Sequence, residues 1–559
     1  MTNSDIADML KLCANLSELH GGNEFKIRSY NTASFKIDKL QIPLEGKTIA
    51  ELEKIDGVGK SLAAKIFEIN LSETFPELQE LIDNTPAGVR DMFRVKGIGP
   101  KKIAFIWNTL GIESIGELFY ACNENRLAQV KGFGEKTQQG IKESIEFIFA
   151  NTNRFHFAKV EKPAEQLVEA LKEFDAITEI SLTGEIRRRN DIIDQIEICA
   201  AIDCDENELA EYIAGTFNVD EIEVTSTTIL FKVSDTIPVI IYFCDESDFT
   251  YTLFETTAAA KHLELLAQAV LKPVAGTYDS EAAIYTSVGL PYIEPEMREG
   301  YNEINLAREN KLPKLIELSD LKGILHNHST YSDGANTLEE MATYCRDLGY
   351  EYLGICDHSK AAQYANGLKE ETILLQHQEI EKLNIKLTPF KVFKGIECDI
   401  LFDGSLDYSN EVLGSFDFIV SSVHSNLKMN EEKAMNRLLK AIENPYTTIL
   451  GHPTGRLLLM REGYPVDHQK MIDACAANGV VIEINANPYR LDLDWRWIDY
   501  AMNKGVKLSV NPDAHELQGY HDMYYGICSA RKGGLTKEMC LNAFSLDEIN
   551  TYFTQRKPK

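Results

Sequence analysis

From about Ile316 to the C-terminus, short apolar runs rich in β-branched residues alternate with segments of helical period such as TLEEMATYCRDLG and NEEKAMNRLLKAIE. That alternation predicts a βα series around a parallel sheet or barrel. The first 150 residues carry a different pattern, which occurs three times: LEKIDGVGKSLAAKI from Leu52, MFRVKGIGPKKIAFI from Met92 and LAQVKGFGEKTQQGI from Leu127. Each copy sets an apolar residue, a Gly-x-Gly turn and then a helix with apolar positions at helical spacing. Between the two regions, DIIDQIEICAAID reads as a half-buried strand of no particular function.

With 559 residues the chain exceeds one core, and three or four domains are expected. An apolar share of 44% against 26% charged is ordinary for globular protein. The formal charge of −29 changes the picture more. Such a chain repels nucleic acid as a whole, so any DNA binding must come from local features. Eleven scattered cysteines without a CxxC pair suggest reduced thiols and a cytoplasmic protein. The start, MTNSDIADML, has no secretory pattern, and no window reaches the roughly 18 apolar residues of a membrane span.

In the three repeats, Gly57, Gly59, Gly97, Gly99, Gly132 and Gly134 permit positive φ and let another backbone approach. The amides opening each second helix then face outward and suit one phosphate. Lys60, Lys101, Lys102 and Lys136 sit beside those openings. A single Gly-x-Gly is most often a tight turn between packed helices. Three copies with the same flanks resemble helix-hairpin-helix units, which hold DNA by its backbone without reading sequence. A few local amides and lysines thereby answer the charge problem.

The apolar runs of the C-terminal part end in polar residues. KGIL leads into His326 and His328, YLGIC into Asp357 and His358, and KVFKGI into Glu397. FIVSSV leads into His424, TTILG into His452, VVIEI into Asn485 and Asn487, and VKLSV into Asp513 and His515. Seven strands thus deliver ligand-type residues to one edge, the edge where barrel enzymes build their sites. Nine of the twelve histidines follow Ile316, and six stand at these strand ends. His326 and His328, two apart on an extended segment, point to one face as a shared metal requires. Imidazole with carboxylate suits Zn, Mn or Fe better than Mg or Ca. With Asp333 the donors number too many for one ion, and Glu397 is the candidate bridge between two. Arg456, four residues after His452, is a candidate for holding a substrate phosphate.

LHNHSTYSDG, CDHS, GIECDI, SSVHS, GHPTGR, EINANPYRLDLDW and NPDAH resemble, in order, the motifs of the PHP (polymerase and histidinol phosphatase) domain. They are most similar to the form attached to bacterial family-X DNA polymerases. The resemblance implies a distorted (βα)7 TIM-like barrel over residues 316–559 with three divalent ions. It assigns His326, His328, Glu397 and Asp513 to the first ion, and Glu397, His424 and His452 to the second. Asp333, His358 and His515 fall to the third. It further implies metal-dependent phosphoester hydrolysis, a 3′–5′ exonuclease acting on DNA 3′ ends, gaps or nicks, in a monomeric protein.

The same resemblance makes residues 1–85 a lyase-like helical domain, 86–150 a fingers-like region, and 151–310 an α+β nucleotidyltransferase-like palm and thumb. In TGEIRRRNDIIDQIEIC, Gly184, Arg187 and Arg188 agree with the family pattern. Glu185 stands for a serine, Asp194 for a glycine, Gln195 and Glu197 for two aspartates, and Ile240 for the third. Fold retained and polymerase chemistry lost is the expectation. Lys65 falls where the lyase domain of the family carries its Schiff-base lysine. The alternatives are a gap-filling polymerase with this nuclease as editor, a small-molecule phosphatase of the histidinol-phosphatase type, and a DNA-binding scaffold without catalysis.

Overall fold

The computed structural model describes every residue except 41, 56, 124, 125, 129, 131, 151, 153, 220, 234–236, 270–272, 558 and 559. Asp56, Gln129 and Lys131 of the three repeats therefore lie outside the described residues. The chain forms two compact units, Met1–Thr152 and Asn153–Lys559. Where the sequence suggested four domains, the palm, thumb and barrel regions share one unit.

The first unit is all helical. Its helices include Asn3–Leu19, Glu24–Asp38, Lys60–Ser72, Pro100–Leu110 and Gly134–Ala150. Ile6, Leu10, Ile66, Ile103, Ile106 and Ile141 meet in one core, each from the apolar stripe of its helix.

The second unit opens with a mixed five-stranded sheet in the order Ile177–Leu182, Ile196–Ile202, Ile237–Cys244, Thr228–Val233, Glu223–Val224. Helices Phe157–Leu171 and Glu206–Phe217 bury their apolar faces on it, through Leu167, Leu171, Leu209 and Ile213. Helices Phe249–Thr257, Ala260–Ala269 and Glu281–Ser287 follow, with a small core of their own around Phe254 and Tyr285.

The barrel then begins. Gly323–Leu325, Tyr352–Ile355 and Lys391–Lys394 pair in parallel, as do Glu397–Asp399, Val420–Ser422, Ile449–Leu450, Val481–Asn485 and Leu508–Asn511. Lys391–Lys394 and Glu397–Asp399 are one strand broken at Gly395 and Ile396, so seven strands form the wall. Parallel bridges between Asn327 and Ala514 and between His358 and Glu397 close it. The pleat explains the continuous apolar runs. Ile324, Leu353, Ile355, Ile482 and Leu508 face the surrounding helices, while Leu325, Tyr352, Phe393, Val420 and Ile449 point inward. Helix Leu546–Arg556 packs Ile549 and Phe553 on that inner set, at the end where the strands begin. The opposite end is left for the polar residues.

Gly354 makes room inside the wall: a Cβ there would lie 2.5 Å from the Phe418 ring and 2.9 Å from Leu325. Phe418 is itself clamped by a stacked Phe553 ring at 4.8 Å. Gly354→Ala should therefore overpack the barrel and cost about 1–3 kcal/mol, read as a lower denaturation midpoint of the second unit. An unchanged midpoint would mean that the interior has slack.

Candidate functional site

Glu397 stands at the centre of the open end, fully buried. Its Oε1 lies 3.0 Å from His452 Nε2, 3.1 Å from His424 Nε2 and 3.3 Å from His326 Nε2. Its Oε2 lies 2.8 Å from His358 Nδ1 and 3.7 Å from His328 Nε2. Asp513 Oδ1 is 2.9 Å from His328 Nε2 and 3.5 Å from His326 Nε2. Asp333 Oδ1 is 3.4 Å from His515 Nε2 and 3.7 Å from His358 Nε2.

The donor atoms fall into three overlapping sets, each within 4.8 Å: His326, His328 and Asp513; His358, Glu397 and His424; and His328, Asp333, His358 and His515. These sets hold eight of the nine sequence-read residues, and the ninth, His452, joins them through Glu397 at 3.0 Å. The grouping differs in detail from the one the resemblance implied, because His358 Nδ1 turns towards Glu397 and His328 lies between two sets. His326, His452 and Asp513 adopt φ of 116°, 22° and 54°, left-handed values that a non-glycine residue holds at a cost of about 1–3 kcal/mol. The barrel stores that strain where the donors must converge.

The surroundings orient the donors. Glu483, fully buried, accepts from His326 Nδ1 at 2.7 Å, from the His452 amide at 2.8 Å and from Asn511 Nδ2 at 3.0 Å. With Nδ1 so engaged, His326 Nε2 faces two carboxylates and has no hydrogen-bond partner. A cation between them is what such a set of facing lone pairs fits. Asp399 sits 3.1 Å from His424 Nδ1. Asp357 is no donor to the cluster: it gathers Ser329 N and Oγ, Ser332 N and Oγ, and Gln376 Nε2, and so fixes the turn between His328 and Asp333. Sequence reading missed Glu483 and Asp399, although Glu483 is a lone carboxylate in the apolar run VVIEI and Asp399 follows Glu397 by two residues in GIECDI.

Arg456 is placed otherwise than expected. Its guanidinium donates to Arg490 O, Leu491 O, Asp494 and Asp191, and it is largely buried. Four of its five donors are taken by the protein, which replaces the phosphate-holding role with a structural one.

The palm brings Gly184, Glu185, Gln195, Glu197 and Ile240 to one sheet edge, with Ile240 paired in register with Glu197. Glu197 is buried and reaches back under Gly184, where a Cβ would lie 1.7 Å from its Oε2. It accepts the Glu185 amide at 3.0 Å and the Tyr242 hydroxyl at 3.2 Å. Glu185 in turn accepts the Asp194 amide at 2.9 Å. Arg187 forms a bidentate pair with Glu281, and Arg188 binds Glu299 at 2.8 Å and Thr257 O at 2.7 Å.

In the helical unit Gly57, Gly97 and Gly132 all have left-handed φ, of 85°, 91° and 97°. Gly59 and Gly99 precede helices Lys60–Ser72 and Pro100–Leu110, and Gly134 opens Gly134–Ala150. A Cβ at Gly59, Gly97, Gly99, Gly132 or Gly134 would meet nothing within 4 Å, so these turns face open space. Lys60, Lys101 and Lys136 are exposed beside them, and Lys102 lies over the Phe133 ring. Of the formal charge, residues 1–152 carry 18 basic and 21 acidic side chains, so −26 of the −29 belongs to residues 153–559. Lys65 is 2.8 Å from Glu77, which Lys26 and Tyr30 also contact. A Schiff-base role for Lys65 would require it to leave that ion pair.

Known proteins share these parts. A helix-hairpin-helix domain model matches residues 1–75, a SAM-like helix-hairpin-helix tandem model residues 89–146, and a PHP domain model residues 325–487. The DNA polymerase/3′-5′ exonuclease PolX of Bacillus subtilis (strain 168) is 31% identical over 573 residues, covering 99% of each chain. Probable phosphatases of Thermoanaerobacter sp. (strain X514) and Acetivibrio thermocellus are 25% and 26% identical, over 42% of this chain and 95% of their own.

The electrostatics of the cluster give a test of metal binding. Burial works against charge on His424, but Glu397 and Asp399 outweigh it and raise its pKa to about 10. Burial likewise opposes charge on His515, and Asp333 with Asp513 lifts it to about 9. Glu397 goes the other way: burial would raise it, yet His424, His326 and His358 hold it well below the usual carboxylate range. Protons therefore fill the cationic role at neutral pH, and a metal ion must displace them. Metal uptake by stripped protein at pH 7 should release protons from these histidines, with affinity rising with pH towards 9–10. Uptake without proton release, followed in weakly buffered solution, would contradict this arrangement.

Proposed function

The chain belongs to the family-X DNA polymerases that carry a C-terminal PHP domain, and from that footing we propose that it is a metal-dependent 3′–5′ exonuclease of DNA whose polymerase activity is lost. The observation that carries the nuclease reading is the buried Glu397 ringed by imidazoles with Asp513 and Asp333 beside it. His326, His328, Asp333, His358, Glu397, His424, His452, Asp513 and His515 would hold three divalent ions, of manganese, zinc or iron. Such ions supply the Lewis acidity that phosphodiester hydrolysis needs. The protein supplies the rest. Glu483 and Asp399 fix the rings of His326 and His424, and the buried wall keeps the carboxylates from turning away. The exposed Gly-x-Gly turns present amides to DNA phosphates, so the strand is held without regard to sequence.

Loss of the polymerase is supported by the way the palm fills its own anion cradle. Two ions clamped by carboxylates are needed for nucleotide addition. Gln195 is neutral, Ile240 is apolar, and Glu197 spends its charge on the Glu185 amide. A triphosphate entering there would face that carboxylate at contact distance, a repulsion of about 4 kcal/mol at an effective dielectric near 20. Arg187 and Arg188 are neutralised by Glu281 and Glu299. Both the ion ligands and the phosphate partners are thus committed elsewhere.

Two outcomes are expected. Asp513→Ala or His328→Ala should abolish release of nucleotides from 3′-labelled DNA, a loss of about a hundredfold or more, because a missing ligand disturbs ion number and geometry together. Near-normal cleavage by either variant, or faster hydrolysis of small phosphate monoesters than of DNA by the parent, would overturn the nuclease reading. In primer extension on gapped DNA, the Asp513→Ala protein, freed from degradation, should add nucleotides at a negligible rate. Extension at the pace of an ordinary repair polymerase would show that the palm is alive.

A further inference from the structure

The stretch from Arg188 to Asp191, beside the nucleotide cradle of a working polymerase, contacts the nuclease barrel. Lys532, at the end of helix Met523–Lys532, is almost fully buried. Its ammonium donates to the Arg188 carbonyl at 3.1 Å, to Asn190 Oδ1 at 2.6 Å and to Glu299 at 2.5 Å. Glu299 receives Arg188 as well, so one thumb carboxylate lies between a palm arginine and a barrel lysine. Glu296 does the same for Arg189, at 3.7 Å, and Arg531, at 2.8 Å. On a second side, Asp191 lies 3.4 Å from Arg456, and His156 Nε2 is 2.9 Å from Leu458 O.

Both contacts lead to the metal cluster by short, stiff routes. Helix Met523–Lys532 crosses the barrel wall at Gly526, where a Cβ would come within 2.4 Å of Ala486 and 2.6 Å of Val510. Ala486 follows Asn485, whose amide donates to Asp513 at 3.2 Å, and Val510 lies three residues before Asp513 itself. Arg456 belongs to the turn after His452. Asp492 holds that turn through Thr454 N, Thr454 Oγ1 and Gly455 N, and Asp494 holds Arg456. With a Cβ-free close approach at Gly526 and the turn tied by Asp492 and Asp494, a shift of the palm loop has a packed route towards Asp513 and His452.

We propose that Arg188, Asn190 and Asp191, with Glu296 and Glu299, are positioning residues of the nuclease: the old nucleotide loop braces the barrel edge that carries His452 and Asp513. The inference rests on the nuclease reading above. It gives the retained palm a task that does not involve nucleotides and that a barrel alone would lack.

The test uses the full chain with Lys532→Met and Asp191→Asn, which break the two contacts separately and leave Glu299 with Arg188 and Arg456 with Asp494. Cleavage of 3′-labelled DNA and of bis(p-nitrophenyl) phosphate is followed in parallel, with thermal melting to establish that each variant is folded. Both variants should lose about tenfold or more in kcat on both substrates, with KM for DNA little changed, since ligand placement and not DNA capture is disturbed. Lys532→Arg should recover most of the loss. A purely structural contact would lower the melting temperature and leave kcat alone. Folded variants that both keep kcat within about twofold of the parent would overturn the inference, because an ångström-scale displacement costs far more than that. A parent that hydrolyses neither substrate would instead overturn the nuclease reading, and this inference with it.

Discussion

A carboxylate without access to water must be matched by positive charge, and the open end of the barrel is arranged around that requirement at Glu397. Left unmatched, such a charge costs several kcal/mol. Imidazoles from four different strand ends meet its two oxygens, and each of those strands is placed by the closure of the barrel. The strained backbone at His326, His452 and Asp513 is tolerable only because the wall over-determines their positions. The next layer has the same logic. Glu483 ties the His326 ring and the His452 backbone amide, from different strands, to one point, so that the His326 ring cannot turn without losing its partner.

The palm obeys the same rule with the opposite result. Its three arginines in sequence, Arg187 to Arg189, need anions, and the thumb provides Glu281, Glu299 and Glu296. The helix-opening amide at Glu185 needs an acceptor, and Glu197 provides it. Internal partners have replaced external ones at each point. The charges of this loop are met within the chain.

Much of this was legible in the sequence because the informative residues interrupt a strong pattern. A polar or ligand-type residue that ends an apolar β run is conspicuous, and seven such interruptions in order, five of them with an imidazole, specify both a barrel and a cluster. The three Gly-x-Gly turns were legible for the same reason, through repetition. What could not be read was pairing. Glu483 looks like an ordinary strand residue until the register shows which histidines it faces. Arg456 looked like a phosphate ligand because its distance from His452 in the chain is visible, whereas its distance from Asp191, across 265 residues, is not. The partner of Lys65, Glu77, lies one helix further on and was hidden for the same reason. The grouping of the donors into sets also escaped, since it turns on which ring nitrogen each histidine presents.

The carboxylate seated beneath Gly184 has a consequence for the economy of the reaction. An enzyme that both extends and trims a 3′ end can cycle between the two, consuming triphosphates without net change in the DNA. On the loss of synthesis proposed above, with Glu197 in the cradle, that cycle has no forward half. Trimming then runs in one direction, and its extent is set by how long the strand stays bound and by when another protein takes over the shortened end. On that proposal the product of this chain is a prepared terminus, left for another protein to fill.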